Sequence, residues 1–185
     1  MFLVTGLGNP TKEYEFTPHN AGYIFVDMLR EYLLGNSDLD VSDWINEKKL
    51  FLSDICRVKK EGELIGILQK PLTYMNNSGS AVNLLTEKYP INQYILVHDD
   101  LDIPLGKYKV QRGRSPKDHK GVLSVERVLK ERDFLRVRLG IDNREERDID
   151  GERYVLMPYN REELEVLKNT IISSISVFLT QADMF

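Results

Sequence analysis

His19 is the titratable side chain best placed for acid–base chemistry in this sequence. Thr17-Pro18 reads as the N-cap and first position of a helix, which puts His19 in its first turn. The positive end of a helix disfavours imidazolium, so the ring stays neutral and able to accept a proton. A nearby carboxylate pulls the other way and fixes the tautomer. Asp99 is the best candidate for that partner, because it follows Tyr94–Val97, which reads as a central strand. The competing reading is that a single histidine at a helix start is a surface or capping residue. Taken alone, His19 leaves both readings open.

Other groupings carry less. His98, Asp99, Asp100 and Asp102 are dense enough to suggest a metal site, but neighbours on a strand point to opposite faces. No second cluster with ligand spacing is evident, since the acids of 142–152 lie in a mixed-charge loop, so no metal is expected. The bland alternative is that Asp100 and Asp102 build a turn before Pro104. Gly6-x-Gly8 invites a dinucleotide-binding reading, but Pro10 and a polar loop follow and no third glycine arrives before Gly22. No cofactor is therefore expected. In Asn76-Asn77-Ser78-Gly79, Asn77 or Ser78 would cap the next helix, while Asn76 either joins them or points into a cleft. Tyr74, two residues earlier, offers a ring for stacking, and Cys56, in mid-strand with no evident base, reads as core.

The elements that must position these residues alternate. Strands are expected at Phe2–Leu7, Leu50–Val58, Leu64–Gln69, Tyr94–Val97, Lys107–Gln111 (an edge strand) and Leu135–Ile141. Helices are expected from Thr17-Pro18 to Gly35-Asn36, at Asn77–Tyr89, at Gly121–Leu129 and at Arg161–Leu179, with residues 36–46 an acidic exposed loop. Such alternation implies a twisted, mixed, mostly parallel sheet with helices on both faces, and function beyond the strand ends. At 185 residues, 42 % apolar and 29 % charged, the chain suits one soluble domain spanning 1–185 and excludes a wholly disordered chain. No apolar run is long enough to span a bilayer, and the opening MFLVTGLGNP is expected not to be a secretory leader. One cysteine excludes an internal disulfide framework and fits a reducing, cytoplasmic setting. The net charge of −4 argues weakly against a nucleic-acid partner. Its distribution argues otherwise: residues 107–120 hold six basic residues against one acid, a local +5 that leaves −9 elsewhere. Such a patch attracts a phosphate backbone, unless it is simply a solvated loop.

Several segments together resemble the bacterial-type peptidyl-tRNA hydrolases: GLGNP at 6–10, KEYEFTPHNAG at 12–22, KPLTYMNNSG at 70–79, HDDLDIPLGKYK at 98–109, HKG at 119–121, RVRLGI at 136–141 and YVLMP at 154–158. They occur in the family's order over nearly the whole chain. The resemblance implies one compact α/β/α domain, localised in the cytoplasm and expected to be a monomer. It implies hydrolysis of the ester joining a peptide to the 3′ ribose of tRNA, without metal or cofactor, returning tRNA to translation. It implies His19 as the general base on water, Asp99 orienting it, and Asn9 near the scissile ester. Tyr14, Tyr74 and Asn76 match positions lining the cleft for the tRNA 3′ end and peptide, with Asn20 placed among them, and Arg138 matches a basic position associated with a terminal phosphate.

The sequence also departs from the family. Lys120 stands where an asparagine helps hold water and substrate, and the preceding loop has lost most of its glycines. A lysine donates but cannot accept, and its charge lowers the basicity of a neighbouring His19. Either Lys120 grips a phosphate or carbonyl instead, or the loop is remodelled. Gln111 replaces a lysine that cooperates with the position of Arg138, so the expected phosphate clamp is either weaker or shifted to Lys109. Two functions remain: a peptidyl-tRNA hydrolase with an altered RNA grip, or a non-catalytic tRNA-binding relative that kept the fold.

Overall fold

The computed structural model describes residues 1–114, 116, 118–144 and 149–183. Ser115 and Lys117 of the basic loop, and residues 145–148 of the mixed-charge loop, lie outside the described residues.

The fold is a single α/β domain built on an eight-stranded sheet. Its strands are β1 (Phe2–Gly6), β2 (Leu39–Val41), β3 (Ile45–Glu47), β4 (Ser53–Lys60), β5 (Glu63–Pro71), β6 (Gln93–Pro104), β7 (Tyr108–Arg112) and β8 (Leu135–Asp142). They run in the order β2-β4-β5-β1-β6-β8-β7, with β3 also pairing with β4. The centre is parallel: β1 pairs with β5 and β6, and β6 with β8. The flanks are antiparallel, so the parallel character expected of the sheet is confined to its middle. The helices are α1 (Ala21–Leu34), α2 (Lys48–Phe51), α3 (Ser78–Lys88), α4 (Lys120–Leu129), α5 (Gly151–Tyr154) and α6 (Arg161–Ala182).

Period-two alternation sorts the strands' side chains between two helical layers. Phe2, Val4, Val97, Val137 and Leu139 pack against Phe25, Val26 and Leu29 of α1 and Leu167, Ile171 and Phe178 of α6. On the other face Leu7, Leu96 and Phe134 meet Val82 of α3 and Val122 and Val125 of α4. The sequence pattern missed β2, β3 and the short α2, because residues 36–51 are too polar and too interrupted to show a period. β6 is longer than the apolar run Tyr94–Val97. It runs through His98-Asp99-Asp100 to Pro104, past a bulge between Asp100 and Pro104. Asp100 Oδ1 accepts from Asp102 N–H at 2.9 Å within the strand.

The opening glycines have a packing role. A Cβ at Gly6 would collide with the Gly22 carbonyl, and one at Gly22 with the backbone of Leu7 and Val97. Only glycine at both positions lets the start of α1 lie directly on β1 and β6. The turn before α1 is a 3-10 helix, Pro18–Asn20, with Thr17 at its N-cap. The Thr17 hydroxyl donates back to the Tyr14 carbonyl at 2.9 Å instead of capping the helix.

Candidate active site

Parallel strands end at the same edge of the sheet, and three of them deliver site residues there. Gly6 of β1 lies opposite Val97 of β6, so the loop after β1 brings Asn9 beside Asp99. The chain leaving β5 supplies Tyr74 and Asn76. The starts of α1 and α4 close the ring with His19 and His119. Together they line a cleft of about 870 Å³.

Asp99 is the hub. Its side chain is 3 % exposed, and both carboxylate oxygens lie near His19 Nδ1, at 3.0 and 3.1 Å. One of them also meets His119 Nε2 at 2.8 Å. A carboxylate only accepts, so both ring nitrogens carry hydrogen. His19 is thereby fixed with its proton on Nδ1 and its lone pair on Nε2. His119 is locked in the opposite sense, because its Nδ1 is the N-cap acceptor for Val122 N–H at 3.3 Å. Its lone pair is occupied and its proton faces Asp99, so His119 supports the carboxylate and is not free to act as a base.

The electrostatics follow. Burial opposes charge on His19, but the Asp99 charge and hydrogen bond outweigh it and raise the pKa, with Lys120 pulling weakly down. Burial likewise opposes charge on Asp99, yet the two imidazoles hold its carboxyl far below the usual range. His98 is buried behind them, its ring 5.2 Å from that of His119. It donates from Nδ1 to the Asp99 carbonyl at 2.7 Å. Burial, helped by His119, pushes its pKa down to about 3, so it stays neutral.

Asn9 is pinned from three sides. Its amide oxygen accepts from Met75 N–H at 3.0 Å, which turns the NH2 end the other way. Its backbone N–H donates to Asn20 Oδ1 at 2.8 Å, and its carbonyl accepts from Asn20 Nδ2 at 3.0 Å. Asn20 therefore corrects an expectation. Buried, with both ends of its amide spent on the Asn9 backbone, it orients Asn9 from behind and does not line the cleft.

Arg138 needs a correction of the same kind. It is buried and donates from Nε to Asp100 Oδ2 at 2.6 Å, so its charge already has a partner inside the protein. Lys109, opposite Arg138 in the β7–β8 register, is exposed on the edge strand and away from the cleft. Tyr74 and Asn76 are exposed on the cleft wall. Tyr14 sits on a 3-10 turn, Lys12–Tyr14, outside the lining. Lys120 lines the cleft and donates to Glu152 Oε1 of α5 at 2.8 Å. Asp99 and Asp100 face opposite ways, as strand geometry requires. The residue missed from sequence is His119, whose signal was a histidine just ahead of the apolar pattern of α4.

The sequence profile described as Peptidyl-tRNA hydrolase matches residues 3–182. The chain belongs to the peptidyl-tRNA hydrolase family. A peptidyl-tRNA hydrolase of Aquifex aeolicus is 39 % identical over 91 % of this chain and 83 % of its own length. One from Carboxydothermus hydrogenoformans is 36 % identical over 98 % and 93 %. The crystal structure of peptidyl-tRNA hydrolase from Acinetobacter baumannii superposes with a TM-score of 0.80 at 28 % identity, covering 98 % of this chain and 89 % of that one. Membership makes the chain an ester hydrolase with peptidyl-tRNA as substrate. Among the described residues no helix is long and apolar enough to cross a membrane.

Proposed function

We propose that this chain cleaves the ester between a peptide, or an N-blocked amino acid, and the 3′ ribose of tRNA, with His19 as general base. What supports the reading is one observation. The ionised Asp99 holds His19 with its lone pair on Nε2, in a cleft that also carries Asn9. His19 Nε2 takes a proton from water as the water oxygen attacks the ester carbonyl carbon. Asp99 stabilises the imidazolium while the tetrahedral intermediate exists, and the Asn9 NH2 group donates to its oxyanion. The intermediate collapses, the bond from carbonyl carbon to the 3′ oxygen breaks, and the departing alkoxide recovers the proton from His19. An alkoxide leaves far more easily than an amine, so no serine or cysteine nucleophile is needed. Tyr74 and Asn76 contact the tRNA end and the peptide, Tyr14 extends that surface, and Lys109 and Lys120 meet phosphates. The protein works as a cytoplasmic monomer.

No metal is part of this mechanism. His19, Asp99 and His119 do bring three donor atoms within 4.8 Å of one another. Both imidazoles, however, point N–H groups at the same carboxylate, so a cation there would displace the protons that set the tautomers. Full activity in excess chelator is the expected outcome. Loss that zinc restores would replace the general-base reading with a metal-assisted one.

Release of N-blocked amino acid from tRNA by the purified protein tests the reaction. A positioned base contributes roughly 10²–10⁴-fold, and His19→Ala should lose that much. Salt-sensitive tRNA binding with no turnover, even at high protein concentration, would instead identify a non-catalytic relative.

A further inference from the structure

Lys120 Nζ and Glu152 Oε1 form an ion pair at 2.8 Å. It joins the first residue of α4 to α5 across a cleft that both residues line together with His19 and Asn9. Both partners are water-exposed, at 62 % and 77 % of their side chains. That sets the pair apart from Arg138–Asp100, where both groups are buried. An exposed ion pair is weakly held, and its members exchange partners readily. α5 is also tied to the catalytic turn, because the Val155 carbonyl that ends it accepts from His19 N–H at 2.9 Å.

We propose that Glu152 is an internal stand-in for substrate phosphate: it parks Lys120 in the empty cleft, and the phosphodiester nearest the scissile ester takes Lys120 from it. The proposal rests on the hydrolase reading above and adds Glu152 as a positioning residue and Lys120 as an exchangeable anion ligand.

Two demands meet at this position. Substrate is a polyanion, and an ammonium in the cleft attracts it. The same ammonium opposes the protonated His19 that forms during reaction. A carboxylate within hydrogen-bonding distance offsets part of that opposition while the cleft is empty, and a phosphate does the same once substrate is bound. His19 therefore never faces an unpaired lysine. The groups facing His19 are Asp99 from β6, His119 ahead of α4 and Lys120 at the start of α4. Glu152, Asp150, Arg144, Asp118, Asp102 and Asp100 lie further round the same cleft. Of these, removing the Glu152 charge is the change that exposes Lys120 alone.

Glu152→Gln and Lys120→Met, singly and together, decide the matter. In Glu152→Gln the freed lysine should lower KM for N-blocked aminoacyl-tRNA by about two- to five-fold at low salt. It should also move the acid limb of kcat/KM to lower pH. Lys120→Met should raise KM and cut the slope of log(kcat/KM) against log salt by about 0.7–0.9, the loss of one phosphate contact. In the double variant the glutamine should have no further effect. A Glu152→Gln enzyme with wild-type KM and pH profile overturns the parking role. A Lys120→Met enzyme with an unchanged salt slope overturns the phosphate, and means that the lysine meets a neutral group. Binding of deacylated tRNA by the same variants reads the exchange without chemistry. An inactive wild type would thus sink the hydrolase reading, while the binding ratios still decided this one.

Discussion

Asp99 and Asp100 are consecutive residues of β6, both buried and both hydrogen-bonded to basic side chains. Asp99 lies between two imidazoles, both of which line the cleft. Asp100 faces the guanidinium of Arg138, on the next strand and equally buried. A histidine exchanges its proton near neutrality, whereas an arginine never gives its proton up. The Asp99 network can therefore take a charge during a reaction and lose it again. The Asp100–Arg138 pair ties β6 to β8. Neighbouring carboxylates of equal burial thus take different roles, and the difference lies in the acidity of the partner each meets.

The largest effect should come from removing the charge that braces His19. Asp99→Asn presents an amide to the two ring N–H groups, loses control of the His19 tautomer and no longer stabilises the imidazolium. A loss of roughly 10²–10⁴ in kcat/KM is expected. Some fold stability should go with it, since the ionised carboxylate is held by both imidazoles. Arg138→Met should invert that pattern. It strands the Asp100 carboxylate without its counter-ion, at a cost of about 3–5 kcal/mol in unfolding free energy. The protein that does fold should keep kcat/KM within tenfold of wild type. Denaturant melts and single-turnover hydrolysis on both variants check the contrast. Equal rate losses in the two would show that the carboxylates act as one unit.

The pairing of His19 with Asp99 was legible because its signals are local. A Thr-Pro helix start carries His19, and an apolar strand runs directly into Asp99. The roles of Asn20 and Arg138 were not legible, because each depends on a partner far away in the chain. Asn20 reaches back eleven residues to the Asn9 backbone. Arg138 finds Asp100 thirty-eight residues away. Alternating Arg136 and Arg138 on β8 resembles a strand with one solvated face. That face is instead covered by α4, whose Glu126 pairs with Arg136 at 2.9 Å. Short-range pattern shows that a strand has a polar face. It does not show whether water or a counter-charge meets that face. His119 escaped for a related reason: its function depends on a tautomer set by the helix it caps, and no spacing rule encodes that.

Two histidines sharpen the comparison further, with a smaller effect. His19 and His98 flank the same aspartate, but their pKa values move in opposite directions. His19 must be neutral to accept a proton, and its pKa is raised, so kcat/KM should fall with an acid limb above the ordinary imidazole value of about 6.5. His98 is buried neutral with a pKa of about 3. Between about 6.5 and about 3 the unfolded chain binds a proton at this position that the folded chain refuses, so His98 lowers stability as pH falls through that window. Its share is at most about 1.4 kcal/mol per pH unit. His19 acts in the other sense, contributing stability below the unfolded value that is lost as pH rises through its folded one. Asp99 adds stability above the ordinary carboxylate range and loses it below. Activity should therefore fail at a higher pH than the fold does. His98→Gln keeps an amide donor for the Asp99 carbonyl and has nothing to titrate. Its unfolding free energy should fall less between pH 7 and pH 4.5 than the wild type's, while the acid limb of kcat/KM stays in place. A limb that moves with His98→Gln would make His98 part of the proton network around Asp99 and not only its support.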